Sequence, residues 1–256
     1  MTQLLNKQIF GEPSKHATLL IAHGLFGSGR NWRAIANQLS RDRQVITVDM
    51  RNHGDSFWSD SHSYADMAND LANIINQIDG PVDVLGHSMG GKAVMVLALQ
   101  NLTKMNRLIV ADIAPVTYTH SQMPNIKIMQ NLEIAHFTRR TEIESAINEH
   151  LNDAATSAFL AQNFIISEQG NSWKINLNAL ASNMDKIMGF PKASATFNNN
   201  TVFIIAGKSD YVQAKHYDGI NRLFPNHKIH PIKGAGHWVH AEAPREFIQT
   251  VIDFLN

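Results

Sequence analysis

Short apolar runs alternate with longer amphipathic segments over the first 113 residues of the chain. The apolar runs end in glycine or polar turn residues, which is typical of strands that are buried on both faces. Between them, apolar side chains recur at helical spacing, most clearly in residues 64–78, which follow the N-cap residue Ser63. The pattern predicts an edge strand at 7–10, strands at 18–22, 45–48, 82–85 and 107–111, and helices at 32–39, 64–78 and 92–100.

This alternation of strands and helices predicts an α/β fold. The segments between strands are long enough to return the chain for parallel pairing, so we expect a mostly parallel central sheet with helices on both faces. In such sheets, ligands bind beyond the carboxyl ends of the strands. His23, Ser88 and Asp112 each lie at or just after the end of a predicted strand, which makes this edge of the sheet the expected site.

The alternation stops after residue 113 and resumes at residue 201. We predict strands at 201–206 and 228–232, helices at 214–224 and 243–255, and, within 114–200, helices at 126–137, 142–151, 156–163 and 178–188. The chain therefore divides into a core of residues 1–113 and 201–256 and a helical insertion of residues 114–200. We interpret the insertion as a cap that shields the site from water. The alternative is a helical subdomain with no role in access.

Composition narrows the classes of function. Twenty-two basic residues balance 22 acidic ones, so there is no electrostatic argument for a nucleic acid or an anionic membrane as partner. The chain has no cysteine, which excludes disulfides, zinc–thiolate sites and a cysteine nucleophile. Residues 1–10 do not resemble a signal peptide, and no apolar stretch is long enough to span a bilayer. We expect a cytoplasmic protein; the sequence does not predict its oligomeric state.

A serine between two glycines, Gly86-x-Ser88-x-Gly90, joins a predicted buried strand to a predicted helix. A sharp turn between a strand and a helix exposes the middle side chain in a strained backbone conformation, which suits a nucleophile. The small glycines let the strand and the helix approach each other. The alternative is a glycine–serine loop that merely begins a helix.

A serine hydroxyl becomes a strong nucleophile when a base removes its proton, and that base needs a carboxylate to orient it. His237 lies in a glycine-rich loop after the last strand and is our predicted base. Asp112 and Asp210 both end strands and both fit the order serine, acid, histidine; either could instead be an N-cap or a surface acid. The spacing of His237 and His240 could suggest a metal site, but no carboxylate cluster accompanies them, so we predict none.

Backbone amides are the predicted stabilisers of the negative oxygen that forms during attack on a carbonyl. Residues 23–27 form a glycine-containing turn after a buried strand, so the N–H of Leu25 can point to the same place as that of Met89. The alternative is a glycine turn that binds no ligand. We expect Phe26, His87 and Trp238 to line the substrate pocket. His23, His53 and His240 are interpreted as structural or pocket-lining residues.

Over nearly its full length the chain resembles the α/β-hydrolase superfamily. The matching motifs are His23-Gly24-x-x-Gly27, Gly54-x-Ser56, Gly86-x-Ser88-x-Gly90 and Gly236-His237. A closer likeness, to the small YbfF-like carboxylesterases, rests on residues 23–28, 49–54, 86–92, 112–115 and 234–240. This resemblance implies hydrolysis of short to medium acyl esters, and also of acyl-CoA thioesters, without a cofactor.

The resemblance also bears on the choice of acid. The superfamily usually places it after the strand at 201–206; counting from Gly207 selects Asp210, whereas counting back from Val212 selects Ser209. The YbfF-like group resembles the second alignment and carries its carboxylate at the end of the preceding strand. That position is Asp112 here, which we therefore favour.

Two other functions are compatible with these motifs. A hydrolase of C–C bonds, or a lyase-type relative that acts on a menaquinone-pathway intermediate, shares the serine turn, and a substrate screen would separate it from an esterase. A non-catalytic binding protein could keep the fold, but it would be expected to lack a member of the Ser–His–acid set, and the sequence contains candidates for all three.

Overall fold

A central sheet of seven strands organises the protein, whose computed structural model describes residues 3–100 and 102–256. The first two residues of the N-terminal segment lie outside this description. The strands of the sheet are β1 (Lys7–Phe10), β2 (Thr18–Ala22), β3 (Val45–Val48), β4 (Val82–His87), β5 (Met105–Ala111), β8 (Thr201–Ala206) and β9 (His227–Ile232); the short strands β6 (Phe164–Ile165) and β7 (Ser172–Trp173) form a separate hairpin.

The sheet has the order β1-β3-β2-β4-β5-β8-β9, and all neighbouring pairs are parallel except β1 with β3. Every residue of β2, β3 and β4 is buried, because helices cover both faces. After β2 the chain adds β3 on one side of β2, and it then adds β4 on the other side. The carboxyl ends of β2 and β4 therefore meet at the point where α/β sheets bind ligands.

Eleven α-helices are present in the described residues. They are α1 (Arg33–Leu39), α2 (Tyr64–Asn76), α3 (Met89–Leu99), α4 (Met123–Asn131), α5 (Arg140–Leu151), α6 (Ala154–Ala161), α7 (Leu177–Ser182), α8 (Met184–Met188), α9 (Tyr217–Leu223), α10 (Val239–Glu242) and α11 (Pro244–Leu255). Helices α2 and α3 pack against one face of the sheet, and α1 and α11 against the other. None of these helices has the length and apolar character needed to cross a membrane.

The predicted insertion contains α4 to α8, with a 3-10 turn at Ile134–His136. It differs from the prediction first in the hairpin of β6 and β7, which lies within it. Strands of two residues are too short to create an alternating pattern, which is why the sequence did not indicate them. Two predicted helices are also shorter or divided: the first ends at Asn131, and the last is split at Asn183 into α7 and α8.

Candidate active site

Ser88 occupies the sharp turn between β4 and α3. Its backbone has φ 52° and ψ −117°, a region that non-glycine residues rarely adopt. A Cβ at Gly86 would lie 2.4 Å from the carbonyl oxygen of Gly90, and one at Gly90 would lie 2.5 Å from that of Ala22. Both glycines are therefore required by close backbone packing, as the sequence predicted, and Ser88 is held half-buried at the carboxyl edge of the sheet.

The hydroxyl of Ser88 lies at the start of a chain of hydrogen bonds. Its Oγ is 3.0 Å from Nε2 of His237, whose Nδ1 is 2.8 Å from Oδ2 of Asp112. Asp112 is fully buried, whereas the imidazole of His237 keeps 24% of its side-chain exposure. The three side chains come from the ends of β4 and β5 and from the loop after β9, which the parallel sheet brings together.

The two candidate acids lie in different environments. The carboxylate of Asp112 accepts hydrogen bonds from the Ala206 N–H at 2.9 Å and from Ser209 Oγ at 2.5 Å, besides its contact with His237. Asp210 is exposed and accepts a hydrogen bond of 3.2 Å from Gln213 Nε2. The structure therefore joins Asp112, and not Asp210, to the histidine, because the turn after β8 directs Ser209 towards Asp112.

Two aromatic side chains fix the orientation of the His237 ring and its loop. Tyr211 stacks on the imidazole, with ring centroids 3.8 Å apart and an angle of 13° between the planes. Nε2 of His87 lies 2.8 Å from the carbonyl oxygen of His237 and donates to it. Burial holds the pKa of His87 well below its usual value, so the ring is neutral at physiological pH.

The turn that contains Leu25 is held in place by two buried histidines. Nε2 of His23 accepts a hydrogen bond of 2.9 Å from Met50 N–H, and its Nδ1 donates to the Gly24 carbonyl at 2.7 Å. Nε2 of His53 accepts a hydrogen bond of 3.2 Å from the N–H of Phe26, a residue with a φ of 63°. Burial lowers the pKa of both rings, so each keeps the neutral form that this donor–acceptor pattern requires.

A cavity of about 360 Å³ opens above Ser88 and His237. Leu25 and Met89 line it, and so do the three predicted pocket residues Phe26, His87 and Trp238. Met89 is the first residue of α3, where a backbone N–H has no partner within the helix. The other wall comes from the insertion, through Leu151, Asp153, Thr156, Phe159, Leu160, Ile187 and Met188.

The model of the alpha/beta hydrolase family matches residues 19–250. The chain belongs to the alpha/beta hydrolase family. This hydrolase is 38% identical over 246 residues to the sn-1-specific diacylglycerol lipase ABHD11 of Mus musculus, covering 93% of this chain and 80% of that protein. It is 35% identical over 244 residues to Esterase YbfF of Escherichia coli (strain K12), covering 94% of each.

A solved structure described as a marine microorganism esterase superposes on the hydrolase with a TM-score of 0.94 and 35% identity, covering 99% of this chain and 100% of that one. The predicted fold and the likeness to YbfF are therefore confirmed. The predicted enzyme class is confirmed as well: the protein is a carboxylic-ester hydrolase.

Sequence reasoning missed several residues at the site of this hydrolase. Tyr211 belongs to no pattern that links it to His237, so only the fold reveals that contact. Ser209 entered the choice of the acid through the resemblance, but its hydrogen bond to Asp112 is visible only in the fold. Lys92 lies in the segment 86–92 that carries the resemblance, but no role is predicted for it. A lysine at the start of an otherwise apolar helix was the available signal, since lysine is almost never fully buried without a partner.

Proposed function

We propose that this hydrolase cleaves short- to medium-chain acyl esters through an acyl-enzyme on Ser88. The observation that carries the proposal is the hydrogen-bonded series Ser88–His237–Asp112 at the floor of a cavity. This is the geometry that a serine nucleophile, a general base and an orienting carboxylate require. The strained turn at Ser88 supports the same role, because strain of this kind is retained where the position of a side chain matters.

In the proposed mechanism, Ser88 Oγ attacks the ester carbonyl while Nε2 of His237 takes the hydroxyl proton. Asp112 keeps the proton on Nδ1 and stabilises the imidazolium. The N–H groups of Leu25 and Met89 bind the negative oxygen of the tetrahedral intermediate. As the intermediate collapses, the C–O bond to the alcohol breaks and the alcohol takes the proton from Nε2.

Water completes the cycle. His237 removes a proton from a water molecule, which attacks the acyl carbonyl and forms a second tetrahedral intermediate. The bond to Ser88 Oγ then breaks, the imidazolium returns its proton to that oxygen, and the carboxylic acid leaves. Acyl-CoA thioesters can follow the same steps with a thiol as leaving group, so we include them as a second substrate class. We assign no cofactor or metal to the reaction.

The proposal is tested by labelling Ser88 with a fluorophosphonate and by measuring hydrolysis of p-nitrophenyl esters from acetyl to dodecanoyl. We expect a burst of nitrophenol, a single labelled peptide that contains Ser88, and a preference for the shorter acyl chains. Ser88→Ala should abolish labelling and lower kcat by a factor of about 10⁴ or more. Acyl-CoA and diacylglycerol substrates should be tested in the same way. Diacylglycerol is included because the similar protein from Mus musculus is named a diacylglycerol lipase.

The matched control is Ser145→Ala, which removes an exposed hydroxyl on α5. It should keep both the label and the activity. Full ester hydrolysis by Ser88→Ala, or labelling at another residue, would contradict the proposal.

A further inference from the structure

Lys92 is a buried lysine in the wall of the catalytic cavity. It lies in the first turns of α3, is 1% exposed, and lines the cavity together with Tyr64, Tyr118 and Met188. Its backbone N–H donates to the carbonyl of Ser88 at 3.0 Å, so it stands one helical turn beyond the nucleophile. Side chains in a helix lean towards its N-terminus, so that of Lys92 points back towards the Ser88 end.

The ammonium group has polar neighbours but no negative partner. Nζ donates to the carbonyl oxygens of Met188 at 2.8 Å and Gly189 at 2.6 Å, and lies 4.7 Å from the ring centroid of Tyr118. Across residues 3–100 and 102–256, no ion pair includes Lys92. An ammonium has three donors, and these two carbonyls occupy two of them.

The acidic residue that lines the cavity does not complete this site. Asp153 is exposed, and its carboxylate is the N-cap of α6, where it accepts from Thr156 N–H at 3.1 Å and from Thr156 Oγ1 at 2.7 Å. A positive charge that is buried without a counter-charge is costly. Burial accordingly lowers the pKa of Lys92 to about 7, and a bound carboxylate would raise it again.

We propose that Lys92 determines specificity and that the cavity accepts acyl groups that end in a carboxylate. The scissile ester lies at Ser88, and the distal carboxylate takes the third N–H of the ammonium. Gln122 and Asn125 also line the cavity and add amide groups to its polar part. This inference names a substrate class for the proposed hydrolysis at Ser88 and therefore rests on it.

The test compares pairs of ethyl esters of equal acyl length. Monoethyl succinate, glutarate and adipate carry the distal carboxylate, and ethyl butanoate, pentanoate and hexanoate do not. Alkyl esters are chosen because the free carboxylate of the corresponding aryl esters would cleave them without enzyme. The measured quantity is the ratio of kcat/KM for the charged ester to that for the neutral one at each length.

We expect Lys92→Met to lower this ratio by about tenfold at the preferred length, because it removes a hydrogen bond to a charged group. Lys92 also joins the core to the end of α8, so the matched control is Asn183→Ala, which removes the 2.8 Å bond from Asn183 Nδ2 to the Asp60 carbonyl at the start of α8, outside the cavity lining. Asn183→Ala should leave the ratio unchanged.

Equal ratios in the wild type and Lys92→Met would overturn the inference and leave Lys92 as an anchor of the insertion. Should Lys92→Met fail to fold, the wild type still provides the test: glutarate or adipate must slow fluorophosphonate labelling of Ser88 at concentrations where pentanoate or hexanoate does not. Equal protection by the two kinds of acid would also overturn it. Hydrolysis of neutral esters alone contradicts only this inference, whereas failure of both esters and of labelling contradicts the proposed function itself.

Discussion

At the scale of single residues, the carboxylate of Asp112 combines three contacts that converge from different elements. His237 Nδ1, Ser209 Oγ and the N–H of Ala206 all lie within hydrogen-bonding distance of its two oxygens. Asp112 has a φ of 45° directly after β5, and this conformation aims the side chain at the neighbouring strand β8. The acid is thus held by its backbone and by its partners.

Replacing Asp112 by Asn should therefore lower kcat for a p-nitrophenyl ester by a factor of about 10⁴, with little change in KM. An amide in this position can stabilise the wrong tautomer of His237 and cannot stabilise the imidazolium. Steady-state kinetics at neutral pH measures the effect. Asp210→Asn is the matched control, since its carboxylate is exposed and bonded to Gln213, and it should retain full activity. The opposite result would assign the acid to Asp210.

The sequence could predict the serine and the histidine but could not decide between the acids from the residues alone. Ser88 is marked by flanking glycines that form a recognisable motif, although a Cβ at Gly86 would meet Gly90 in the same turn and a Cβ at Gly90 would meet Ala22 on the neighbouring strand. Asp112 and Asp210 both follow buried strands, so their sequence contexts are alike. The direction of the turn after Ala206 decides between them, and that direction depends on tertiary packing rather than on local pattern.

At the scale of elements, the insertion makes hydrogen bonds to the turn that contains Leu25, the candidate oxyanion donor. Nδ2 of Asn163, just after α6, donates to the buried carbonyl of Phe26 at 2.9 Å. Asn31 Nδ2 and Gln162 Oε1 form a second link of 2.7 Å between the same regions. These contacts join a segment that is not part of the sheet to the loop that carries Leu25, so the insertion contributes to the shape of the site.

We expect Asn163→Ala to lower kcat about tenfold and the free energy of unfolding by about 1–3 kcal/mol. The substitution leaves the Phe26 carbonyl without its donor and loosens the loop that positions the Leu25 N–H. Ester kinetics and urea denaturation measure the two effects.

Asn183→Ala is the matched control for Asn163→Ala. Nδ2 of Asn183 likewise joins the insertion to a core carbonyl, that of Asp60 at 2.8 Å, but does not contact the Leu25 loop. It should lose a similar amount of stability and keep its kcat. An equal fall in kcat for both variants would mean that the insertion acts through general stability alone.

The strands and helices differ in how well the pattern of apolar residues predicted their bounds. Strands β2, β3 and β8 were predicted at their observed bounds, because strands buried on both faces are short and continuously apolar. The hairpin of β6 and β7 and the end of α4 at Asn131 were not predicted. In the insertion, contacts with the core decide where helices end, and a single helical period cannot encode those contacts.

At the scale of the whole molecule, the core encloses a set of neutral imidazoles. Burial lowers the pKa of seven histidines, and that of two of them, His62 and His240, falls to about 3. Five of the seven also contact another histidine ring; these five are His23, His53, His62, His87 and His240. Several are joined by ring contacts, including His23 with His53 and His87 with His240. Each must remain uncharged in the folded state, whereas each can take up a proton when the chain unfolds.

Acid should therefore destabilise this protein over a defined range of pH. Below about pH 6.5 the unfolded chain binds more protons than the folded one, so the free energy of unfolding falls by about 1.4 kcal/mol per pH unit for each such histidine. For His62 the loss continues down to its folded pKa of about 3. Urea denaturation between pH 7.5 and 4.5 measures how steeply the free energy of unfolding falls with pH. His62→Gln should reduce this slope by the contribution of one histidine, about 1.4 kcal/mol per pH unit. His150→Gln, which removes an exposed ring on α5, should not change it. A stability that is constant over this range would mean that the buried imidazoles are protonated in the folded protein.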